Sequence, residues 1–310
     1  MLSFGSDPEF MLVRDGRYFS AIEIIQGSID NRINIKGHQF YWDNVLAECA
    51  VRPAIGSQKF IESLKECFDI FSKMVHPYKL KIQASQEYPD SELQSAEARI
   101  AGCKPDFCAY ELKQVMPPTI EIESQSLRTC GGHIHLGSNK GALVSDGYEP
   151  IVIVYLLDLF VGIPSLFLDQ DKTSYNRREL YGQAGRYRVK SYGLEYRSLS
   201  NFWLTSPKLV KLIYNLCEFV VKFVEEGKSE ELWEFDEEIF FNSDDLSKAF
   251  TCKSYNAKEI KKIIDHSDLK KASKYMTYIK KFLPIKIYNE IEKLSNIQHH
   301  EFYEEWNLNP

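Results

Sequence analysis

The sequence predicts an α+β protein. Three patterns carry that reading: segments of two-residue alternation in the first half, a hairpin turn at Asp15-Gly16, and long stretches with helical apolar spacing. Phe4 to Val13 reads as an opening strand with Asp7, Glu9, Met11 and Val13 on one face. Asp15-Gly16 turns the chain toward a second strand, Tyr18 to Ile25. Tyr41 to Arg52 reads as one strand ended by Pro53, with Asn44, Glu48 and Arg52 on one face and Val45, Ala47 and Cys49 on the other. Ser57 is placed to cap a helix reaching about Val75, whose stripe is Phe60, Leu64, Phe68 and Phe71, and His76-Pro77 stops it. Further strands are expected at Lys79 to Ser85 and Thr119 to Leu136, and two short ones within Arg177 to Arg197. Helices are expected from Glu149 to Asp169 and from Lys208 to Glu226. From about Lys228 the pattern turns helical to the end, so a unit spanning 1–227 and a helical C-terminal appendage, 228–310, packed on it are expected. No repeat, low-complexity tract or Pro/Ser linker demands two independent domains.

A chain of 310 residues with 44% hydrophobic content can bury a substantial core. Its net charge of -6 argues against a surface built to neutralise nucleic-acid phosphates, so any phosphate site must be local. Seven cysteines, at positions 49, 67, 103, 108, 130, 217 and 252, form no CxxC pair, and their odd count rules out full disulfide pairing. A reducing cytoplasm is expected. Asp7 and Glu9 stand where a signal peptide needs a basic residue and an apolar run, so secretion is not expected. Ile151 to Leu168 is interrupted by Asp158, Gly162 and Pro164 and reads as a buried helix, not a membrane span.

Candidate chemistry gathers in a few segments. Asp7, Glu9, Glu48 and Glu195 sit on expected strands among apolar neighbours; each alone reads as a surface acid, but together they offer the oxygen ligands that Mg²⁺ or Mn²⁺ prefers. His133 and His135, two apart between Gly132 and Gly137, face one side of a strand; the other reading is a hydrogen-bonded core pair. Arg186, Arg188 and Lys190 alternate along one face with no acid between them, as a phosphate site would want. Glu195 and Arg197 share the face of the next strand, and Arg177 with Arg178 adds a less specific cationic cluster. Gly132-x4-Gly137 continues into Ser138-Asn139 and fails as a phosphate loop; no GxSxG elbow exists, and Cys103 with Cys108 has no second pair for zinc.

These segments resemble the phage-type carboxylate-amine ligases, or type 2 amidoligases, of the glutamine synthetase and glutamate-cysteine ligase superfamily. The resemblance runs through Gly5-Ser6-Asp7-Pro8-Glu9-Phe10, Asp43-Asn44-Val45-Leu46-Ala47-Glu48 with Arg52-Pro53, and Gly102-Cys103-Lys104-Pro105-Asp106. It continues through Gly131-Gly132-His133-Ile134-His135-Leu136-Gly137 and Tyr181-Gly182-Gln183-Ala184-Gly185-Arg186-Tyr187-Arg188, and closes on Tyr192-Gly193-Leu194-Glu195-Tyr196-Arg197-Ser198-Leu199-Ser200-Asn201-Phe202-Trp203. The tail after about residue 228 lies outside it.

The resemblance implies a curved antiparallel β-sheet with helices packed on its outer face, and ATP with Mg²⁺ or Mn²⁺ on the other. Carried over by position, Glu9, Glu48 and Glu195 would be metal ligands, Asp7 or Asp43 would supplement them, and His133 or His135 would complete a second metal site. Asp43 has the opposite strand parity to Glu48, so either a bulge intervenes or Asn44 faces the metals. Arg186 and Arg188, with Lys190 and His135 beside them, would contact the nucleotide phosphates. Arg197 would steady an acyl-phosphate or the acidic substrate, which makes Arg197, Arg186 and Glu195 the expected catalytic residues. The expected activity is an ADP-forming ligase joining small-molecule or peptide carboxylates and amines, with ATP-grasp and glutamine-amidotransferase-like enzymes as pathway partners. Neither nucleic acid nor membrane is an expected partner, and the setting is cytoplasmic, in the host cell if phage-encoded.

Two other readings compete. One is a metal-dependent hydrolase built on His133 and His135, disfavoured because seven histidines offer no further ligand spacing. The other is a non-catalytic nucleotide-binding relative, disfavoured because all the acids and the Arg186/Arg188 pair are present. Substrate identity is expected to lie in the segments 26–38, 86–99 and 177–185.

Overall fold

The opening strand, β1 (Ser3–Arg14), is the spine of the sheet because its two faces differ chemically. Phe4, Phe10 and Leu12 point one way into an apolar layer; Gly5, Asp7, Glu9 and Met11 point the other. Burying aromatic groups of this size is worth roughly 2 kcal/mol each, whereas a one-residue slip would drive Asp7 and Glu9 into that layer. Register is thereby fixed by the phenylalanines.

The computed structural model describes residues 1–99, 105–115, 126–145, 147–242 and 246–309. After β1 come β2 (Arg17–Phe19), β3 (Ile33–Ile35), β4 (His38–Asp43), β5 (Leu46–Ala50), β6 (Ala54–Ile55), β7 (Lys79–Lys81) and β8 (Ser85–Glu87). They are followed by β9 (Asp106–Cys108), β10 (Lys113–Val115), β11 (Leu127–Thr129), β12 (Gly132–Gly137), β13 (Arg186–Lys190) and β14 (Gly193–Tyr196). The main sheet runs β10-β9-β13-β14-β12-β1-β5-β4-β3, with β2, β6 and β7 also pairing with β1. Its pairings are antiparallel, which bears out the α+β expectation. β12 pairs with residues 3–8 of β1, β6 with 3–4, β5 with 9–10 and β7 with 11–13.

Helices Ser57–Val75, Glu149–Leu168 and Pro207–Glu225 cover the face carrying Phe4 and Phe10. Phe4 meets Phe60 at 4.9 Å between ring centroids, and Phe10 meets Phe68 at 5.6 Å. Ser57 opens its helix but does not cap it; Gly56, at φ +94°, holds the cap position, where the positive φ selects glycine. Ser206 does cap its helix, accepting from the backbone N–H of Leu209, with Pro207 at the first position. Glu149–Leu168 is long and apolar enough to cross a membrane, yet 89% of its apolar window is buried inside the fold. A π-helical turn interrupts it at Asp158–Gly162.

The region read as one strand from Tyr41 to Arg52 is instead the β4-β5 hairpin, turning at Asn44 with φ +55°. The stretch from Lys79 to Ser85 likewise divides into β7 and β8. The expected strand from Thr119 divides into β11 and β12 at Cys130-Gly131, and its part over 119–125 lies outside the described residues, as does Cys103. The C-terminal tail holds helices but also a short hairpin, β15 (Trp233–Phe235) with β16 (Phe250–Cys252). It shares the central core: Phe302 packs on Phe10 at 5.7 Å, Trp306 on Phe68 at 5.0 Å, and Trp306 Nε1 donates to the Leu204 carbonyl.

Candidate active site

Antiparallel register assembles the site, because residues directly paired across strands project from the same face. Tyr41 pairs with Glu48, and Glu48 with Glu9. Asp7 pairs with His133, His135 with Glu195, and Glu195 with Arg188. Side chains from six strands thus meet on the face opposite the helices.

Asp7 Oδ1 lies 3.2 Å from His133 Nδ1 and 3.1 Å from His135 Nε2, while Glu195 Oε1 lies 3.9 Å from His133 Nδ1. Ligand atoms of Asp7, His133 and Glu195 all fall within 4.8 Å of one another, close enough to share one ion. Desolvation works against the Asp7 carboxylate, but the two imidazoles outweigh it and hold the group well below the usual range. Burial, and after it the Arg197 charge, pushes His133 down to about 4, which leaves a neutral imidazole with a lone pair for a ligand. His135 moves the other way, since the Asp7 charge overcomes its burial. Burial and Asp7 oppose the charge on Glu195, yet Arg197 and the two histidines hold it at about 2.

A second acidic group adjoins the first. Glu9 Oε2 accepts the backbone N–H of Gly131 at 2.5 Å, and Tyr41 donates its hydroxyl to Glu48 Oε1 at 2.6 Å. Desolvation raises Glu9 to about 7, with Asp43 adding to the rise against the Gly131 N–H. Glu48 is raised well above its ordinary value by burial and then by Glu9, Asp43 and Asp7. The parity conflict over Asp43 disappears in the hairpin: Asp43 pairs with Leu46 two positions from the Tyr41-Glu48 pair, so Asp43 and Glu48 share a face. Asn44 occupies the turn, its Oδ1 accepting from the Val45 N–H and from Arg128 Nε.

The cations of β13 do share one face, but acids on neighbouring strands meet them. Arg186 Nη1 lies 2.6 Å from Asp106 Oδ1, Arg188 Nη1 3.4 Å from Glu195 Oε1, and Lys190 Nζ 2.6 Å from Glu195 Oε2. Arg197 bonds Glu195 directly and reaches Asp106 Oδ2 with its Nε at 3.4 Å. The structure separates Arg177 from Arg178. Arg178 donates to Ser267, whereas Arg177 turns inward at 2% exposure, donating Nη1 to the Ser198 carbonyl and Nη2 to the Arg197 carbonyl. Burial lowers Arg177 to about 10, with Glu9 pulling the other way.

Two cavities meet here. An outer cleft of about 1240 Å³ is lined by Asp7, Glu48, His135, Arg188, Lys190 and Tyr192. An inner chamber of about 60 Å³ is lined by Asp106, Arg128, Thr129, Gly131 and Arg177. Glu9, Asp43, His133 and Arg197 line both and form the partition. The candidate acids, histidines and cations read from the sequence therefore converge, Arg186 through Asp106 at the edge. Sequence reasoning gave no role to Asp106, Tyr41 or Tyr192. Tyr192 stacks on His135 at 5.9 Å and bonds its Nδ1, and both Asp106 and Tyr192 end or open quoted motifs, which was their one signal.

Comparison with curated proteins yields no match. A family model described as Phage phiEco32-like COOH.NH2 ligase-type 2 matches residues 124–308. That span holds β12, β13 and β14, and it continues through the helical tail that the sequence motifs did not reach. With more than half of the chain matched, the protein belongs to the phage phiEco32-like COOH.NH2 ligase type 2 family, a family of carboxylate-amine ligases.

Proposed function

We propose that this protein is an ATP-dependent, ADP-forming ligase that makes an amide bond through an acyl-phosphate, with Mg²⁺ or Mn²⁺ as its metal. The observation that carries the reading is that Asp7, Glu9, Glu48 and His133 line one cleft together with Arg188, Lys190 and Arg197, above a buried Glu195 that all three cations contact. That cleft exceeds the roughly 300–1,000 Å³ usual for a small ligand, so a nucleotide and part of a second substrate fit together.

Carboxylate oxygens with one neutral imidazole suit a hard divalent cation, and Glu9 and Glu48, raised by desolvation and by neighbouring carboxylates, would be relieved by one. Asp7, His133 and Glu195 would hold one ion, and Glu9 and Glu48 with Asp43 a second. When bound, such ions neutralise phosphate charge and orient the triphosphate. The protein's own groups do the rest. Arg188 and Lys190 bind phosphate oxygens from β13. A substrate carboxylate oxygen attacks the γ-phosphorus, the bond to the β-phosphate oxygen breaks, and ADP leaves. Arg197, on the partition, steadies the acyl-phosphate while the amine adds to the acyl carbon; phosphate leaves with the bonding pair, and the amine gives up its proton.

The test is ADP release, coupled to a spectrophotometric readout, across amino acids, peptides and polyamines with Mg²⁺ or Mn²⁺. Metal-dependent release that requires both a carboxylate and an amine is expected. A folded sample that binds no nucleotide would sink the proposal. The Asp7, His133 and Glu195 cluster also fits a hydrolytic metal, and stoichiometric, tightly held zinc in the purified protein would favour that reading. The six described cysteines are all unpaired thiols, which supports a cytoplasmic setting.

A further inference from the structure

Arg177 differs from the cations of β13 and from Arg197. Arg186, Arg188, Lys190 and Arg197 each meet Asp106 or Glu195. Among the described residues Arg177 bonds two backbone carbonyls, those of Ser198 and Arg197, and its Nε has no acceptor. Among the described residues no carboxylate comes within ion-pair distance of it. A guanidinium at 2% exposure without a counter-ion carries a large desolvation penalty, so its charge calls for a partner from outside the chain. The backbone makes room for the arrangement: Gly182, at φ +75°, lies so close that a Cβ there would stand 1.6 Å from Arg177 Nη1. The guanidinium lines the inner chamber, which adjoins the reaction cleft through Glu9, Asp43, His133 and Arg197.

We propose that Arg177 is the anchor for a carboxylate of one substrate, a small bifunctional acid of amino-acid size seated in the inner chamber. About 60 Å³ admits only a small head group. A planar monoanion matches the guanidinium fork. Phosphate, bearing nearly two charges, would face Glu9, Asp43 and Asp106 in the same walls and is disfavoured. The acid's other functional group then projects through the partition into the cleft where bond formation takes place. That the anion is a substrate rests on the ligase reading; that Arg177 binds a carboxylate does not.

The experiment is a titration of the full chain, without nucleotide or metal, followed by the ¹⁵N-¹H signal of Arg177 Nε assigned through its backbone. Acetate, glycine and succinate are compared with acetamide and glycinamide at constant ionic strength. Carboxylates are expected to move the signal saturably and the amides to leave it in place. Arg177→Lys, checked for folding by circular dichroism, is expected to weaken glycine binding at least tenfold. Equal shifts with amides, no saturable shift with any carboxylate, or unchanged glycine affinity in folded Arg177→Lys would each overturn the assignment. Should the variant not fold, the wild-type titration decides alone. Absence of ADP release with every substrate pair would leave this result standing, and its failure would leave the ligase reading standing.

Discussion

Glu9 of β1 and Glu48 of β5 are directly paired, so two carboxyl groups stand side by side on the site face. Desolvation raises both, Glu9 to about 7 with the Asp43 charge adding to it, and Glu48 further through the charge of Glu9. Glu9 therefore binds its proton more tightly in the fold than in the unfolded chain between about 4.5 and about 7. In chelator, thermal stability is predicted to fall as pH rises through that window. Mg²⁺ or Mn²⁺ should restore it most above pH 7, where Glu9 has given up its proton and can bind metal. Melting curves from pH 4.5 to 8.5, with and without EDTA, check this; curves that ignore both pH and metal would sink it.

Replacing Glu48 by Gln removes one charge of the pair while keeping an acceptor for the Tyr41 hydroxyl. At pH 8 in chelator, Glu48→Gln is predicted to be more stable than the parent by on the order of 1 kcal/mol. It should also lose most of the stabilisation that metal gives. A variant less stable than the parent in chelator yet still stabilised by Mg²⁺ would remove Glu48 from the metal site.

Glu195 is fully buried and meets Arg188, Lys190 and Arg197. Glu195→Gln is predicted to lower turnover by about 10²- to 10³-fold, the scale set by losing one charged group at a reaction centre. Nucleotide affinity should change less than tenfold. Parallel measurement of ADP release and nucleotide binding separates the two, since a mere nucleotide binder has no turnover to lose.

Much of this site was legible from strand periodicity. The two-residue repeat put Asp7 with Glu9 and His133 with His135 on common faces, because a sheet with one buried face leaves the register no freedom. Asp43 resisted the same rule: Asn44 adopts a left-handed turn, and a hairpin reverses the parity count that holds along one strand. Arg177 read only as half of a less specific cationic pair with Arg178. Its burial depends on the missing side chain of Gly182 five positions later, a contact that no local spacing announces. Asp106 sits on a three-residue strand, too short for any period, and its role appears only when β13 places Arg186 beside it.

Below the sheet, Asp158 in the π-helical turn accepts the Tyr196 hydroxyl at 2.6 Å, directly after Glu195 in the chain. Burial lifts its carboxyl to about 7 against that hydrogen bond. Its protonated form is the stabilised one, so it too costs stability as pH climbs from about 4 to about 7. Asp158→Asn keeps an oxygen for Tyr196 and cannot ionise, and it is predicted to flatten the pH dependence of unfolding in that window. Chemical denaturation at pH 4.5 and 8 in chelator measures the difference; parallel curves for variant and parent would refute it.

Gly5 within β1 and Gly132, which opens β12, tolerate substitution differently. A Cβ on Gly132 would stand 2.6 Å from Trp203 Nε1, 2.7 Å from the Ser200 carbonyl oxygen and 2.9 Å from Asn201 Cα. Two of those atoms are backbone and Trp203 Nε1 is tied to the Gly132 carbonyl, so none can yield. Gly132→Ala is predicted to destabilise by about 2 kcal/mol, the usual cost of overpacking, and to displace His133. Gly5, across β1, would place its Cβ 3.5 Å from His135 Cβ and Pro53 Cβ, an ordinary contact, so Gly5→Ala should fold within about 0.5 kcal/mol of the parent. Assayed at a temperature where both variants are fully folded, Gly132→Ala should still lose more activity than Gly5→Ala, because its strain is applied to the strand that carries both histidines. Equal activities at full folding would mean that β12 absorbs the shift without moving His133.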